Sequence, residues 1–437
     1  MKEQPRVIFW FRRDLRLYDN KGLYNALKSG YKVFPIFIFD KEILASLQKD
    51  DARVTFIFDQ LQSLRSELQN KHNSSIAIYY DTPENVFKKL LSKYTIKEVY
   101  TNHDYEPYAL QRDKEIAVFL KSKDCTLYTF KDQVIFEKNE IVKSDGNPYL
   151  VYTPYMKKWK EIFTPEMINK FPSDKVLDNM YQHSSLPNVS LSDIDFTHSK
   201  IKVKPFNTSI SLINNYEKTR NFPGKESTSN LSPHLRFGTV STREMVKTAK
   251  QSGNETFLNE LIWREFFMQI LWHFPHSITK SFKPAYDAIQ WRNDESEFEL
   301  WKEGKTGYPM VDAGMRELNK TGYMHNRVRM VVGSFLCKHL LIDWKWGETY
   351  FAEKLLDYEM ASNIGNWQWV AGSGVDAAPY FRIFNPKTQL DKFDKHHKYV
   401  KKWIPEFGTS KYPNPIVEHS FARNRCLNTY KEALNSE

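Results

Sequence analysis

VIFWFRRDLRLYDN, residues 7–20, joins a five-residue β-rich run to a charged segment that contains no glycine. Similar runs recur as KVFPIFIF (32–39), SIAIYY (75–80), EVYTN (98–102) and CTLYTF (125–130). The segments between them have helical spacing, as in Val54, Ile57, Leu61 and Leu64. Short strands alternating with helices predict βαβ units and a parallel, doubly wound sheet. Such a sheet binds ligands where the carboxyl ends of its strands diverge. The first strand is followed by neither G-x-G-x-x-G nor G-x-x-x-x-G-K-[ST], so the usual phosphate cradle is missing.

Outward from this region the character changes. Residues 131–205 are rich in Pro, Ser, Asp and Asn with little periodicity, and read as an interdomain connector after an α/β domain at 1–130. Residues 206–437 show helical patterns, for instance Val311, Met315 and Leu318 in a helix opening near Pro309 and closing near Gly322; this half is expected to be all-α. A length of 437 residues suits at least two domains. A hydrophobic share of 41% with 15% aromatic residues excludes a disordered chain. No run reaches the roughly 18 apolar residues of a membrane span, so no membrane partner is expected. Five apolar residues near the amino terminus are too few for a secretion signal, which predicts a cytoplasmic protein. Cys125, Cys337 and Cys426 are too scattered for a disulfide framework or a metal site, so no metal is expected and a reducing compartment is. A formal charge of +10 favours polyanions, nucleic acid among them, but a generic basic protein has the same charge.

Four segments of the second half combine polar and aromatic residues. In NELIWREFF (259–267), Glu260, Trp263 and Arg264 share a helix face. In YMHNRVRMVVGSFL (323–336), Asn326 pairs with Met330, and His325 with Arg329, at i,i+4. LLDYEMASNIGNWQW (355–369) brings Asp357 and Glu359 ahead of Asn363, Trp367 and Trp369. STSNLS (227–232) resembles a helix start whose free N–H groups suit a phosphate. Singly, each fits a bland role as surface ion pair, core filler or cap. Their joint occurrence carries the argument.

Together with FWFRRDLRLYDN, STSNLSPHLRFG, WKEGKTGYPMVDAGMRELNKTGYMHNRVRM, ASNIGNWQWVAGSGVDAAPYFRIFNP and DKFD, these segments make the chain resemble the photolyase and cryptochrome family along nearly its whole length, most closely the class I cyclobutane pyrimidine dimer photolyases. The resemblance implies an α/β antenna domain, a connector and an all-helical FAD domain. It implies FAD held by Tyr216, Thr228, Ser229, Asn230, Leu231 and Ser232 at its phosphates, with Arg329, Asp357, Glu359 and Asn363 near the flavin ring. An amide at 363 can accept from a protonated N5, whereas plant cryptochromes have aspartate there. For a lesion flipped out of UV-damaged DNA it implies Trp263 and Trp369 as packing surfaces, Glu260 and Asn326 as hydrogen-bond partners and Met330 as an apolar contact. Arg220, Arg264, Arg327, Arg382 and Gln389 are the implied DNA contacts, and Trp367, Trp344 and Trp291 the implied electron-transfer chain, with Trp301 and Trp346 left as packing.

The resemblance implies light-driven splitting of pyrimidine dimers by reduced FAD, in a chain expected to be monomeric. Asn326 and Met330 stand where (6-4) photolyases carry histidines, and WQW where DASH cryptochromes differ, which favours dimer repair. The chain also ends soon after DKFD, without the long tail of signalling cryptochromes. A blue-light photoreceptor and a flavoenzyme indifferent to light are the competing functions. For a second, antenna chromophore, Tyr108-Ala109 departs from the Asn-Glu pair of folate-binding members; a deazaflavin, a second flavin or an empty site remain alternatives.

Overall fold

The computed structural model describes residues 4–435 and divides into two compact units. The first comprises residues 1–137, 161–206 and 230–251, and the second 138–160, 207–229 and 252–437.

The first unit contains a parallel five-stranded sheet: β1 (Arg6–Phe11), β2 (Lys32–Asp40), β3 (Ala77–Asp81), β4 (Ile96–Asn102) and β5 (Thr126–Phe130), ordered β3-β2-β1-β4-β5. Side chains alternate across a strand. Val7, Phe9 and Phe11 therefore pack with Val33, Phe37 and Phe39 in one apolar layer, and Ile8 and Trp10 with Phe34, Ile36 and Ile38 in the other. Burial on both faces is why β1 and β2 read as continuous apolar runs rather than alternating ones.

The strand order reverses between β1 and β4, the switch point of a doubly wound sheet. Here the helix Lys21–Leu27 presents its first N–H groups to side chains: Lys21 N donates to Asp132 Oδ1 (3.1 Å), Gly22 N to Asn102 Oδ1 (2.9 Å) and Leu23 N to Asn20 Oδ1 (3.1 Å). The amides that would cradle a phosphate are thus already engaged, the structural counterpart of the missing glycine motif. A Cβ at Gly22 would lie 2.7 Å from Asn102 Oδ1, so glycine lets the strand end and helix start meet. At the edge of this region Tyr108 Oη donates to Asp40 Oδ2 (2.6 Å).

The segment expected as a connector is divided between the units. Residues 161–206 line the sheet unit in short 3-10 turns, with Tyr181 N donating to Val33 O (2.7 Å) and Arg65 donating to Leu186 O and Pro187 O. Leu177, Met180, Leu186, Leu191, Ile194 and Phe196 are buried at irregular intervals, so the segment is a packed layer with no readable period. Residues 230–251 likewise belong to the first unit rather than to the helical half.

The second unit is helical. Its main core gathers residues from the helices Pro309–Thr321, Asn326–Ser334, Trp344–Lys354 and Met360–Ala371. Among the described residues no helix is long and apolar enough to cross a membrane, and no group of three or more His, Cys, Asp or Glu is placed to hold a metal.

Candidate functional site

The helix Met360–Ala371 carries Asn363, Trp367 and Trp369. Residues two apart on a helix point about 200° from each other, and this helix packs on two sides, with Trp369 partly buried against the main core. Asn363 and Trp367 face the helix Trp344–Lys354: Asn363 Nδ2 donates to Glu348 O (3.1 Å) and Glu348 Oε1 (3.0 Å), and Trp367 packs over Gly347. Gly365, one turn before Trp369, faces Phe267 on the helix Glu255–His273. One helix therefore serves two surfaces. With its amide nitrogen committed to Glu348, Asn363 has its carbonyl oxygen left to offer, an acceptor for an N–H. Burial pushes the Glu348 carboxyl up, while the Asn363 amide opposes the shift.

Before this helix, Arg329 Nη2 donates to Asp357 Oδ2 (2.8 Å), and Arg329 Nε to Met324 O (2.7 Å). Tyr323 lies between these groups and Thr228: its ring is 5.6 Å from the Arg329 guanidinium and its hydroxyl pairs with the Thr228 side chain. Sequence reading missed Tyr323, Glu348 and Tyr152. Thr228 and Ser229 belong to the second unit, where Asn207 N donates to Ser229 O (2.8 Å). Asn230, Leu231 and Ser232 belong to the first, where Ser232 begins a short helix and Asn230 adopts a left-handed φ of 52°. Tyr216 packs edge-on against Phe257, with Arg220 over its ring at 5.4 Å.

Glu260 on the helix Glu255–His273 is ion-paired with Arg220. Burial pushes its carboxyl up and Arg220 holds it down. Trp263, one turn on, stacks against Tyr152 with centroids 3.6 Å apart and planes 6° from parallel. Tyr152 thereby covers one indole face, fixing the ring's orientation. Asn326 is exposed at the start of its helix, with Met330 half-buried one turn later. His325 is the N-cap rather than a member of that helix; its Nδ1 accepts from Arg327 N (3.1 Å).

Arg220, Arg327 and Arg382 are close enough to repel. Burial, then Arg220 and Arg382, pull the Arg327 guanidinium down. Arg327 is held by Asn221 (2.8 Å) and the Phe393 ring (4.4 Å), and Arg382 is exposed. Clustered cations suit a phosphate chain. Gln389 is half-buried on the helix Pro386–Phe393. Arg264 does not fit this group: its side chain is only 12% exposed and lies 3.9 Å from Glu359, itself the buried N-cap of Met360–Ala371. The Arg264 guanidinium is drawn toward an internal acid rather than out to solvent, unlike that of Arg382.

Trp367 and Trp344 are buried in the main core, and Trp291 packs partly exposed against its outside. Trp301, expected to be packing, is fully buried and meets Trp367 edge-on at 6.3 Å.

Residues 7–174 match the family model of DNA photolyase, and residues 257–411 that of the FAD binding domain of DNA photolyase. A deoxyribodipyrimidine photo-lyase of Halobacterium salinarum is 34% identical, with 98% of this chain and 100% of the relative covered. Among solved structures, a class III photolyase from Agrobacterium tumefaciens superposes with a TM-score of 0.89 at 35% identity, covering 99% and 98% of the two chains. An archaeal photolyase from Sulfolobus tokodaii, solved with two FAD molecules, gives 0.83 at 34% identity, covering 98% and 100%.

Proposed function

The chain belongs to the DNA photolyase family, and from that membership we propose that it repairs cyclobutane pyrimidine dimers in UV-damaged DNA under blue light. The observation that carries this reading is the helix Met360–Ala371, with Asn363 and Trp367 toward Glu348 and Gly347 on one side and Gly365 toward Phe267, on the helix that bears Trp263, on the other. FAD, when bound and reduced, supplies the electron that light drives to the dimer.

The residues fit FAD. The acceptor oxygen of Asn363, the Arg329–Asp357 pair and the hydroxyls of Thr228 and Tyr323 are the groups on this chain that would hold it. Tyr216, Ser229, Asn230, Leu231, Ser232 and Glu359 complete the proposed cofactor set. On the substrate side, Glu260 accepts a hydrogen bond from a pyrimidine N–H when ionised, and Arg220 favours the ionised form. Asn326 donates to or accepts from a base edge, and Met330 and the indoles of Trp263 and Trp369 give apolar surface, worth about 1–3 kcal/mol per stacked base. Arg220, Arg327, Arg382 and Gln389 bind the backbone without reading sequence. Trp367, Trp344 and Trp291 are the proposed route by which oxidised cofactor is photoreduced. The class I assignment rests on sequence resemblance, since the A. tumefaciens structure is of a class III enzyme.

The test is to illuminate photoreduced holoprotein with a dimer-containing oligonucleotide and count the remaining dimers. Loss of dimers in light and not in darkness supports the reading; intact dimers with fully reduced FAD refute it and favour a photoreceptor.

A further inference from the structure

Three elements of the second unit meet at one backbone oxygen. The Ala371 carbonyl, at the end of the helix bearing Trp367, accepts from Lys338 Nζ (2.8 Å) and from Tyr430 Oη (2.9 Å). Lys338 lies in a widened turn, Phe335–His339, where Leu340 N bonds to Phe335 O in an i→i+5 pattern. Such π-type turns recur at functional positions. Lys338 Nζ also donates to Tyr380 O (3.3 Å), and it sits 3.8 Å from the Tyr430 ring centroid. Lys338 and Tyr430 are 1% and 0% exposed. The Tyr430 ring in turn lies 6.0 Å from Trp291, edge to face.

An indole radical at Trp291 therefore has a buried phenol as its neighbour. We propose that Lys338 is a positioning residue that confines the oxidised end of the tryptophan chain to Trp291, by making Tyr430 too hard to oxidise. This rests on reading Trp367, Trp344 and Trp291 as the electron path.

The step that is blocked is transfer of an electron from Tyr430 to the Trp291 radical cation with loss of the phenolic proton, leaving neutral Trp291, a Tyr430 phenoxyl radical and H⁺. Two features oppose it. The positive charge forming on the ring would face an ammonium held against it, in surroundings where a charge is poorly screened. The phenolic proton points at an amide carbonyl, a very weak base that already accepts from the same ammonium. Burial lowers Lys338 to about 8, so the ammonium still predominates at neutral pH. Trp291, partly exposed, then remains the place where a small-molecule reductant of the thiol class delivers the replacing electron.

The test is flash excitation of the holoprotein with oxidised FAD, following tryptophan and tyrosine radicals by transient absorption. Wild type is expected to show a tryptophan radical that decays without a tyrosyl signal. Lys338→Met should replace that radical by a tyrosyl signal and shorten its lifetime on the order of tenfold. The Lys338→Met/Tyr430→Phe double variant should restore the wild-type lifetime. A tyrosyl signal in wild type, or an unchanged lifetime in Lys338→Met, overturns the proposal. Tyr430→Phe alone decides it if Lys338→Met does not fold, because a longer tryptophan-radical lifetime there means that Tyr430 already donates. Absence of any tryptophan radical in wild type refutes the electron path itself, and the proposal with it.

Discussion

Gly347 sits inside the helix Trp344–Lys354, where alanine would ordinarily be favoured by about 1 kcal/mol. Its neighbours reverse that expectation. A Cβ at 347 would overlap Trp367 Cη2, and would lie 2.5 Å from Trp367 Cζ3 and 2.6 Å from Leu336 Cδ2, against ordinary carbon contacts of about 3.5–4 Å. Trp367 has no room to retreat, with the Phe351 ring 4.9 Å and the Trp301 ring 6.3 Å from its own. Overpacking of this kind costs about 1–3 kcal/mol, and with two rigid neighbours the upper end applies. Gly347→Ala is therefore expected to be destabilising by about 2 kcal/mol after the helix gain is subtracted. Urea unfolding at constant m-value measures this as a lower midpoint. The same variant should photoreduce oxidised FAD more slowly, while repair by chemically reduced protein persists. A variant stabilised by about 1 kcal/mol, the value for an unobstructed helix site, would refute the packing and with it the placing of Trp367.

Glu348→Ala should remove the side-chain one of the two hydrogen bonds that hold the Asn363 amide and weaken FAD retention by about 1 kcal/mol, roughly fivefold, as measured by flavin fluorescence on dilution. Arg327→Ala and Arg382→Ala should each weaken binding of damaged and undamaged DNA alike and reduce the log-log salt slope by about 1, whereas Arg264→Ala should leave that slope unchanged. His325 is buried and its imidazole is pushed down to about 4, first by burial and then by Arg329, Arg327 and Arg220. Between its ordinary 6.5 and about 4 the unfolded chain binds a proton that the folded chain refuses, so stability falls by about 3 kcal/mol as pH drops through that window. His325→Asn keeps an acceptor for Arg327 N and should flatten this slope in denaturation curves; an unaltered slope excludes His325 as its source.

β1 and β2 were legible because each buries both faces and so appears as an unbroken apolar run bounded by polar residues; β5, largely exposed, was legible from its β-branched and aromatic residues instead. The packed layer at 161–206 was not, because its buried residues follow the surface they cover rather than any helical or strand period. Within the candidate site, residues proposed to act through their own side-chain type, such as Asn363 or Trp369, could be picked out from motifs. Glu348 could not, since its role is to fix an amide fifteen positions away, and nothing near it in sequence marks that. Tyr152 was hidden likewise, because its stacking on Trp263 arises from tertiary folding. Arg264 is read as a DNA contact because it is basic and lies beside Glu260 and Trp263 in sequence; its burial beside Glu359 is a tertiary fact that the motif does not carry.

The helix Met360–Ala371 is restrained at both ends and on two faces, the sides that matter to its two proposed roles. Its start is the Glu359 cap paired with Arg264, and its end is the Ala371 carbonyl held by Lys338 and Tyr430. One face is set by Gly347 against Trp367, the other by Gly365 against Phe267, where a Cβ would lie 2.5 Å from Phe267 Cε1. Side chains that must hold a cofactor or a base within a fraction of an ångström need this kind of support. The two glycines separate the roles experimentally. Gly347→Ala disturbs the Asn363 and Trp367 face, so photoreduction should suffer first. Gly365→Ala pushes on Phe267, whose ring lies 5.5 Å from Trp263, so affinity for dimer-containing DNA should suffer first. If both variants lost both properties equally, the helix would be a single packing unit, and the division of its two tryptophans between electron path and lesion would have to be abandoned.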